Sequence, residues 1–206
     1  MTAEGATRPY HHGDLERAAI DGAVEEVRTV GVAAVSMRRI ARRAGVSHAA
    51  LAYQFGDKRG IFTAVAREGF RLAAEIIGAA TTGPDGFLRG GQAYVEFALT
   101  HRGYFEVMFR PYLYRGDDPD LVAAKNAAFA VLYGGARASL TAYRPDGVSD
   151  ADVNGLVLAG WSLSHGFATL ALTGNLSEQF GTDTATLAAQ MASGISTLGD
   201  LVRHFE

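Results

Sequence analysis

The chain has no cysteine in its 206 residues. That excludes disulfides, thiolate zinc sites and a cysteine nucleophile, and it is compatible with a reducing compartment. No uninterrupted apolar run approaches the roughly 18 residues that suggest a membrane span. The opening MTAEGATRPYHHGDL has no apolar stretch of the kind a secretory signal carries. A cytoplasmic location with no membrane partner is therefore expected. No segment alternates with period two for long enough to claim a strand. No G-x-G-x-x-G follows a strand, and no Walker-type loop occurs. The six histidines never fall at H-x-x-x-H spacing, so neither a metal nor an organic cofactor is expected.

Helical periodicity is what remains. A hydrophobic content of 48% with 20% charged residues suits a folded core. The first dozen residues are expected to form a flexible arm. Asp14 and Glu16 favour a helix start, Ile20, Ala23, Val24 and Val27 recur at helical spacing, and Gly31 suits a stop. Ser36 can cap a second helix with Met37, Ile40, Ala41 and Ala44 on its inner face. Gly45 supplies a turn, and Ser47 can cap a third helix with Leu51 and Phe55 inward. Asp57 can cap a fourth, running to about Ala80. The breaker cluster 81–86 follows, and then helical spans are predicted over 87–101, 103–110, 119–143, 150–174 and 184–204. The expected fold is all-α, with about nine helices. A helix-turn-helix domain over 1–56 is followed by a connecting helix over 57–82 and a larger bundle over 83–206.

Charge is concentrated in one window. Residues 36–59 carry Arg38, Arg39, Arg42, Arg43, Lys58 and Arg59 against the single acid Asp57. The window stands at +5 in a chain of net charge −3, which leaves the remainder at −8. A compact basic block with helix-turn-helix spacing on an acidic chain points at DNA. In that motif the second helix enters the major groove. Here it would present His48, Ala49, Ala50, Tyr53 and Gln54. Gln54 suits an adenine edge and the alanine methyls suit thymine. Arg38 and Arg42, four apart, share one face and can reach phosphates. Arg39 and Arg43 form a second row that is either phosphate-facing or merely solvated. Lys58 stands at a helix N-terminus, which itself favours a phosphate.

Ser36, Ile40-Ala41-Arg42-Arg43-Ala44-Gly45-Val46-Ser47, Phe55 and Lys58 stand in the order found in the TetR/AcrR family of bacterial transcriptional regulators, which residues 12–70 resemble. The resemblance implies phosphate-contacting roles for Ser36, Arg38 and Lys58. It implies base-proximal roles for His48, Ala49, Tyr53 and Gln54, on a recognition helix opened by Ser47. Ala52 departs from the family, where many members have tyrosine. Tyr10-His11-His12-Gly13-Asp14-Leu15 also looks like one branch of it, with His11 and His12 offering a phosphate contact or only a flexible arm. Further along, Trp161-Ser162-Leu163-Ser164-His165-Gly166 resembles the W-x-x-x-H-G signature of one TetR-type C-terminal domain.

Behind the basic block the chain is aromatic. Phe97, Phe105, Met108, Phe109, Tyr112, Phe129, Tyr133, Trp161 and His165 are the candidate lining of a small-molecule pocket, or else plain core. Leu158, Trp161 and His165 share a helical face. Leu187, Met191, Ile195, Leu198, Val202 and Phe205 form an apolar stripe on the last helix. Leu156, Ala159, Gly160, Leu163 and Leu170 form one on the helix before it. Leu156, Gly160, Leu163, Met191, Ile195, Leu198 and Val202 are the candidate dimer contacts. Two such helices from each of two copies would make an isologous four-helix interface.

No enzyme constellation emerges. Gly160-Trp161-Ser162-Leu163-Ser164 misses the nucleophile-elbow pattern at its last position. The Asp117-Asp118-Pro119-Asp120 cluster is explained by an acidic helix start. The expectation is a homodimeric regulator, a repressor that binds a palindromic double-stranded DNA operator and is released by an apolar or amphipathic effector. The alternative is a ligand-binding or protein-interaction module that has lost DNA binding.

Overall fold

The computed structural model describes residues 12–144, 146–181 and 183–203, with no side chain described at 12–14, 184, 185, 192, 196 or 198–203. The helices are α1 (His12–Val30), α2 (Met37–Ala44), α3 (His48–Phe55), α4 (Lys58–Ala80), α5 (Gly86–Thr100), α6 (Arg102–Met108), α7 (Pro119–Tyr143), α8 (Asp150–Leu172), α9 (Asn175–Phe180) and α10 (Thr184–Arg203). Short 3-10 turns lie at Val32–Ala34 and Pro111–Leu113. No strand occurs among the described residues, and the fold is all-α. The helix count exceeds the expected nine by α9. At six residues this helix is too short to show a period, and its left-handed cap Gly174 (φ 82°) reads in sequence as a break. The N-terminal arm, with Tyr10 and His11, lies outside the described residues, as does the side chain of His12.

The chain forms two compact units. One comprises residues up to Leu72 together with His101–Ala128; the other comprises Ala73–Thr100 together with Phe129 onward. Helices α4 and α7 each run from one unit into the other, so these divisions fall inside helices rather than at breaker residues. Helix α6 joins the first unit because it packs on α1. A Cβ added at Gly103 would stand only 2.5 Å from the Val24 carbonyl oxygen.

In the first unit, Ala19, Ile20, Ala23 and Val27 of α1 are buried, as are Ile40 of α2, Leu51 and Phe55 of α3 and Ile61, Phe62 and Val65 of α4. One acid shares that inner face. Glu26 is only 3% exposed. Its two carboxylate oxygens accept from Arg39 Nε at 2.5 Å and Arg43 Nε at 2.7 Å. Burial pushes the Glu26 carboxyl upward, but the two guanidinium bonds outweigh it and hold it below the ordinary value. Arg67 of α4 pairs with Glu16 of α1 and lies 3.6 Å from Asp120 of α7.

In the second unit, Ala136, Val153 and Val157 form a core cluster, with Phe87, Leu132, Leu140, Val148 and Leu156 packed on it. Ser149 and Asp152 form a reciprocal capping box that starts α8. Helix α8 is long and apolar enough to cross a membrane by length and composition, with a mean hydropathy of 1.3 over 18 residues. Much of that apolar surface faces outward, as described below.

Replacing Glu26 with glutamine removes the charge that both arginines need. Glu26→Gln is expected to lower the unfolding free energy by roughly 1–3 kcal/mol in urea titrations. Because its folded-state value lies below the unfolded value of 4.5, the stabilisation it gives is present above pH 4.5 and is lost as the pH falls through the folded value. The difference between wild type and Glu26→Gln should shrink over that acidic window.

Candidate functional site

The helix-turn-helix is built by capping. The Ser36 hydroxyl accepts from the Arg39 N–H at 3.4 Å, and the Ser47 hydroxyl accepts from the Ala50 N–H at 3.0 Å. Between them Gly45 takes the left-handed conformation (φ 68°). Its N–H donates to the Arg42 carbonyl at 3.4 Å, and the Val46 N–H donates to the Ala41 carbonyl at 3.0 Å. This pair of bonds is a Schellman closure, and it turns the chain sharply into α3.

Leu51 and Phe55 anchor α3 to the core, which leaves the opposite face outward. On that face Tyr53 is 87% exposed. Ser47, His48 and Ala49 are exposed, while Ala50 and Gln54 are half-buried. Gln54 and Ala50 are thus more recessed than the other residues assigned to base contact. Arg38 and Arg42 are exposed on α2 and pair with no carboxylate among the described residues. Arg39 and Arg43 behave differently: both are spent on Glu26. The second arginine row is therefore not merely solvated: though partly exposed, it fastens α2 to α1.

Lys58 does not project freely from the start of α4. Its ammonium donates to the Val35 carbonyl at 3.2 Å and lies 5.7 Å from the Phe62 ring centroid. Asp57 occupies the helix N-terminus, where its carboxylate accepts from the Gly60 N–H at 2.9 Å. That bond is the main reason its carboxyl is held low, helped by the Arg115 guanidinium against some cost of burial. Lys58 thereby fixes the residue preceding the Ser36 cap.

The aromatic candidates fall into two clusters. In the first unit Phe105 and Phe109 lie 5.1 Å apart, and Phe109 meets Phe70 edge-on at 5.9 Å. Met108 is buried beside them, whereas Tyr112 is 71% exposed. In the second unit Trp161 stands between Phe129, at 5.4 Å, and His165, at 6.1 Å. His165 Nδ1 shares a 2.7 Å hydrogen bond with the Tyr94 hydroxyl. Burial lowers the imidazole's affinity for a proton and raises that of the phenolate, so both groups are favoured in their neutral forms. Phe97 is buried and Tyr133 lies at the surface. Tyr94 was not singled out in the sequence as the partner of His165, because the two stand 71 residues apart.

The residues assigned to a dimer contact also separate. Leu163 is exposed on α8 together with Leu158, Ala159, Ser162 and Leu170. Leu158 is 65% exposed, so it does not share the half-buried environment of Trp161 and His165. Leu156 packs inward on the core cluster. Gly160 also faces inward: an added Cβ would lie 2.6 Å from two carbons of the Phe87 ring. Its small size serves this internal approach. On α10, Met191 is half-buried and Ile195 is exposed. The side chains of Leu198 and Val202 lie outside the described residues, and Phe205 lies outside them altogether.

Comparison with known proteins agrees with a helix-turn-helix followed by a C-terminal helical domain. The family model for bacterial regulatory proteins of the tetR family matches residues 19–65. The model for a tetracyclin repressor-like C-terminal domain matches residues 87–195, which include the Trp161-to-Gly166 signature. No curated protein matches the chain. Among solved structures, a protein of unknown function from Rhodococcus sp. RHA1 is 28% identical, with a TM-score of 0.71 over 91% of this chain and 98% of its own. A TetR family transcription regulator from Marinobacter aquaeolei VT8 is 20% identical, with a TM-score of 0.61 over 87% of this chain and 94% of its own. A protein from Saccharomonospora viridis in complex with choline is 21% identical, with a TM-score of 0.64 over 90% of this chain and 97% of its own. The chain belongs to the TetR family of transcriptional regulators, with an N-terminal helix-turn-helix and a C-terminal helical domain.

The exposed face of α2 and α3 and the folding machinery can be separated by mutation. A Cβ at Gly45 meets no atom within 4 Å, so Gly45→Ala is strained only by its backbone and should cost about 1–2 kcal/mol. Arg38→Ala and Tyr53→Ala, on the exposed face, should change stability by less than about 0.5 kcal/mol. Urea unfolding of the three variants checks the contrast.

Proposed function

We propose that this chain is a homodimeric repressor that binds a palindromic operator and leaves it when a small effector occupies the C-terminal domain. The observation that carries the reading is the division of labour on α2 and α3. Arg39 and Arg43 are engaged by Glu26, while Arg38 and Arg42 of α2 and His48, Ala49 and Tyr53 of α3 are left exposed to solvent. In this arrangement α3 enters the major groove, Ser36 and Arg38 meet phosphates, and His48, Ala49, Tyr53 and Gln54 approach base edges. Lys58 contributes by holding Val35, and reaches phosphate only if it leaves that carbonyl.

The outward stripe of α8 favours dimerisation. Ala159, Leu163 and Leu170 are exposed at helical spacing on a strongly apolar helix, Leu158 is exposed beside them, and Ile195 is exposed on α10. A second copy of the same face would remove these side chains from water in a symmetric contact. For the effector, Trp161, Phe129 and the neutral His165–Tyr94 pair offer aromatic surface with one polar handle. That chemistry suits a small amphipathic molecule, in keeping with the choline held by the Saccharomonospora viridis relative. Such a molecule releases the operator only insofar as it binds the DNA-free geometry more tightly than the DNA-bound one.

Selection from a random duplex library, followed by salt titration of the enriched site, tests the DNA reading. Log affinity should fall steeply with log salt, and Arg38→Ala should flatten the slope by about 0.9 for one lost phosphate contact. A salt-independent affinity would count against it. For the dimer, the double substitution Leu163→Glu, Leu170→Glu should give a folded monomer in sedimentation, where wild type sediments as a dimer. A wild-type monomer at micromolar concentration would sink that part of the reading.

A further inference from the structure

Residues 114 and 115, just beyond the second 3-10 turn, are stitched to both sides of the α3–α4 corner. The Arg115 guanidinium Nη2 donates to an Asp57 carboxylate oxygen at 2.9 Å and lies 3.5 Å from the Phe55 carbonyl oxygen. The Arg115 N–H donates to the Thr63 hydroxyl oxygen at 3.0 Å, and that hydroxyl donates in turn to the Arg59 carbonyl at 2.8 Å. Arg59 returns a bond to the Tyr114 carbonyl at 2.9 Å. Tyr114 is itself buried, with its hydroxyl donating to the Met108 carbonyl at 2.9 Å.

Phe55 is the last residue of α3; its carbonyl accepts from the Asp57 N–H at 3.0 Å just beyond the helix, and a cation there also meets the negative end of the helix dipole. Two glycines leave room for the guanidinium. An added Cβ on Gly56 would lie 3.4 Å from Arg115 Nη2. One on Gly60 would overlap the Phe55 carbonyl and lie 3.3 Å from Arg115 Nη1. Arg115 and Asp57 are both substantially exposed, and an exposed ion pair adds little to global stability. What the bridge does constrain is direction. Ser47 and Gly45 fix where α3 begins; at its other end the Gly56 and Asp57 N–H groups close the corner on the Ala52 and Phe55 carbonyls, and Arg115 ties that corner to the segment after the second 3-10 turn.

From this geometry we infer that Arg115 is a positioning residue for operator recognition: it aims the recognition helix from the rear, without touching DNA. The inference rests on the DNA reading proposed above. An aimed helix matters for base edges, whose hydrogen bonds depend on distance and angle. It matters far less for sequence-independent attraction to the phosphate backbone.

The test uses the full chain, a duplex enriched from a random library and a shuffled duplex of the same length. Arg115→Ala should lower affinity for the enriched duplex about tenfold or more, the worth of a good base contact. Affinity for the shuffled duplex should change by less than about twofold, with its salt slope unchanged, as for a residue that meets no phosphate. Arg115→Lys retains the charge but puts a compact ammonium on a shorter stem in place of the planar guanidinium, and should fall between the two. An unchanged ratio of enriched to shuffled affinity would overturn the inference. So would a parallel loss on both duplexes with the slope reduced by about 0.9, since Arg115 would then be a phosphate ligand. If circular dichroism shows Arg115→Ala unfolded, Asp57→Asn decides: its amide oxygen can still cap the Gly60 N–H, and the same ratio should fall roughly threefold. No fall in that variant would again overturn the inference. A wild-type chain that enriches no sequence would overturn the DNA reading, and this inference with it.

Discussion

A carboxylate removed from water must find cations, and Glu26 finds two. Arg39 and Arg43 lie four apart on α2, so their side chains emerge on one face and close on the two oxygens of a single acid. The consequence reaches well beyond α1. With that face of α2 turned inward, Arg38 and Arg42 are turned outward, and Ser36 and Gly45 come to rest at fixed ends of the helix. Gly45 then sets the turn into α3, and the burial of Leu51 and Phe55 sets which face of α3 meets solvent. The exposed cationic surface is a result of the internal pairing as much as of composition. Without the pairing, four arginines would compete for the same exits.

Much of this was legible in the chain as a string of residues. Helix starts at Ser36, Ser47 and Asp57, the left-handed Gly45 and the inward Leu51 and Phe55 are local signals, each governed by one turn of chain. The division among the arginines was not legible, because it depends on a partner 13 to 17 residues away. A clue did exist: Glu26 lies on the same helical face as Ala19, Ala23 and Val27, and a charge on an apolar face calls for a counterion. The roles of Lys58 and Arg115 were likewise hidden, since Val35, Phe55 and Asp57 become their neighbours only through folding.

In the C-terminal half the helices other than α9 are legible in the sequence, and the surfaces less so. Spacing placed Leu156, Gly160 and Leu163 on one stripe, yet Leu156 and Gly160 pack inward on the core cluster and on Phe87, while Leu163 faces out. A helix rich in alanine, glycine and leucine on every side has no sharp polar face, so periodicity alone cannot orient it. The aromatics illustrate a related limit. Phe105, Met108 and Phe109 belong with the helix-turn-helix unit, and Phe129, Trp161 and His165 belong with the other. The aromatic residues thus feed two separate clusters, and the second contains the hydrogen-bonded Tyr94–His165 pair.

Footprinting on an enriched duplex is the most direct test that α3, aimed by this framework, reads DNA as one half of a symmetric pair. The expected result is two protected major-groove patches on one face of the duplex, with centres about one helical turn apart, roughly 10 base pairs. Protection without a fixed register, or no protection by a folded chain, would contradict it.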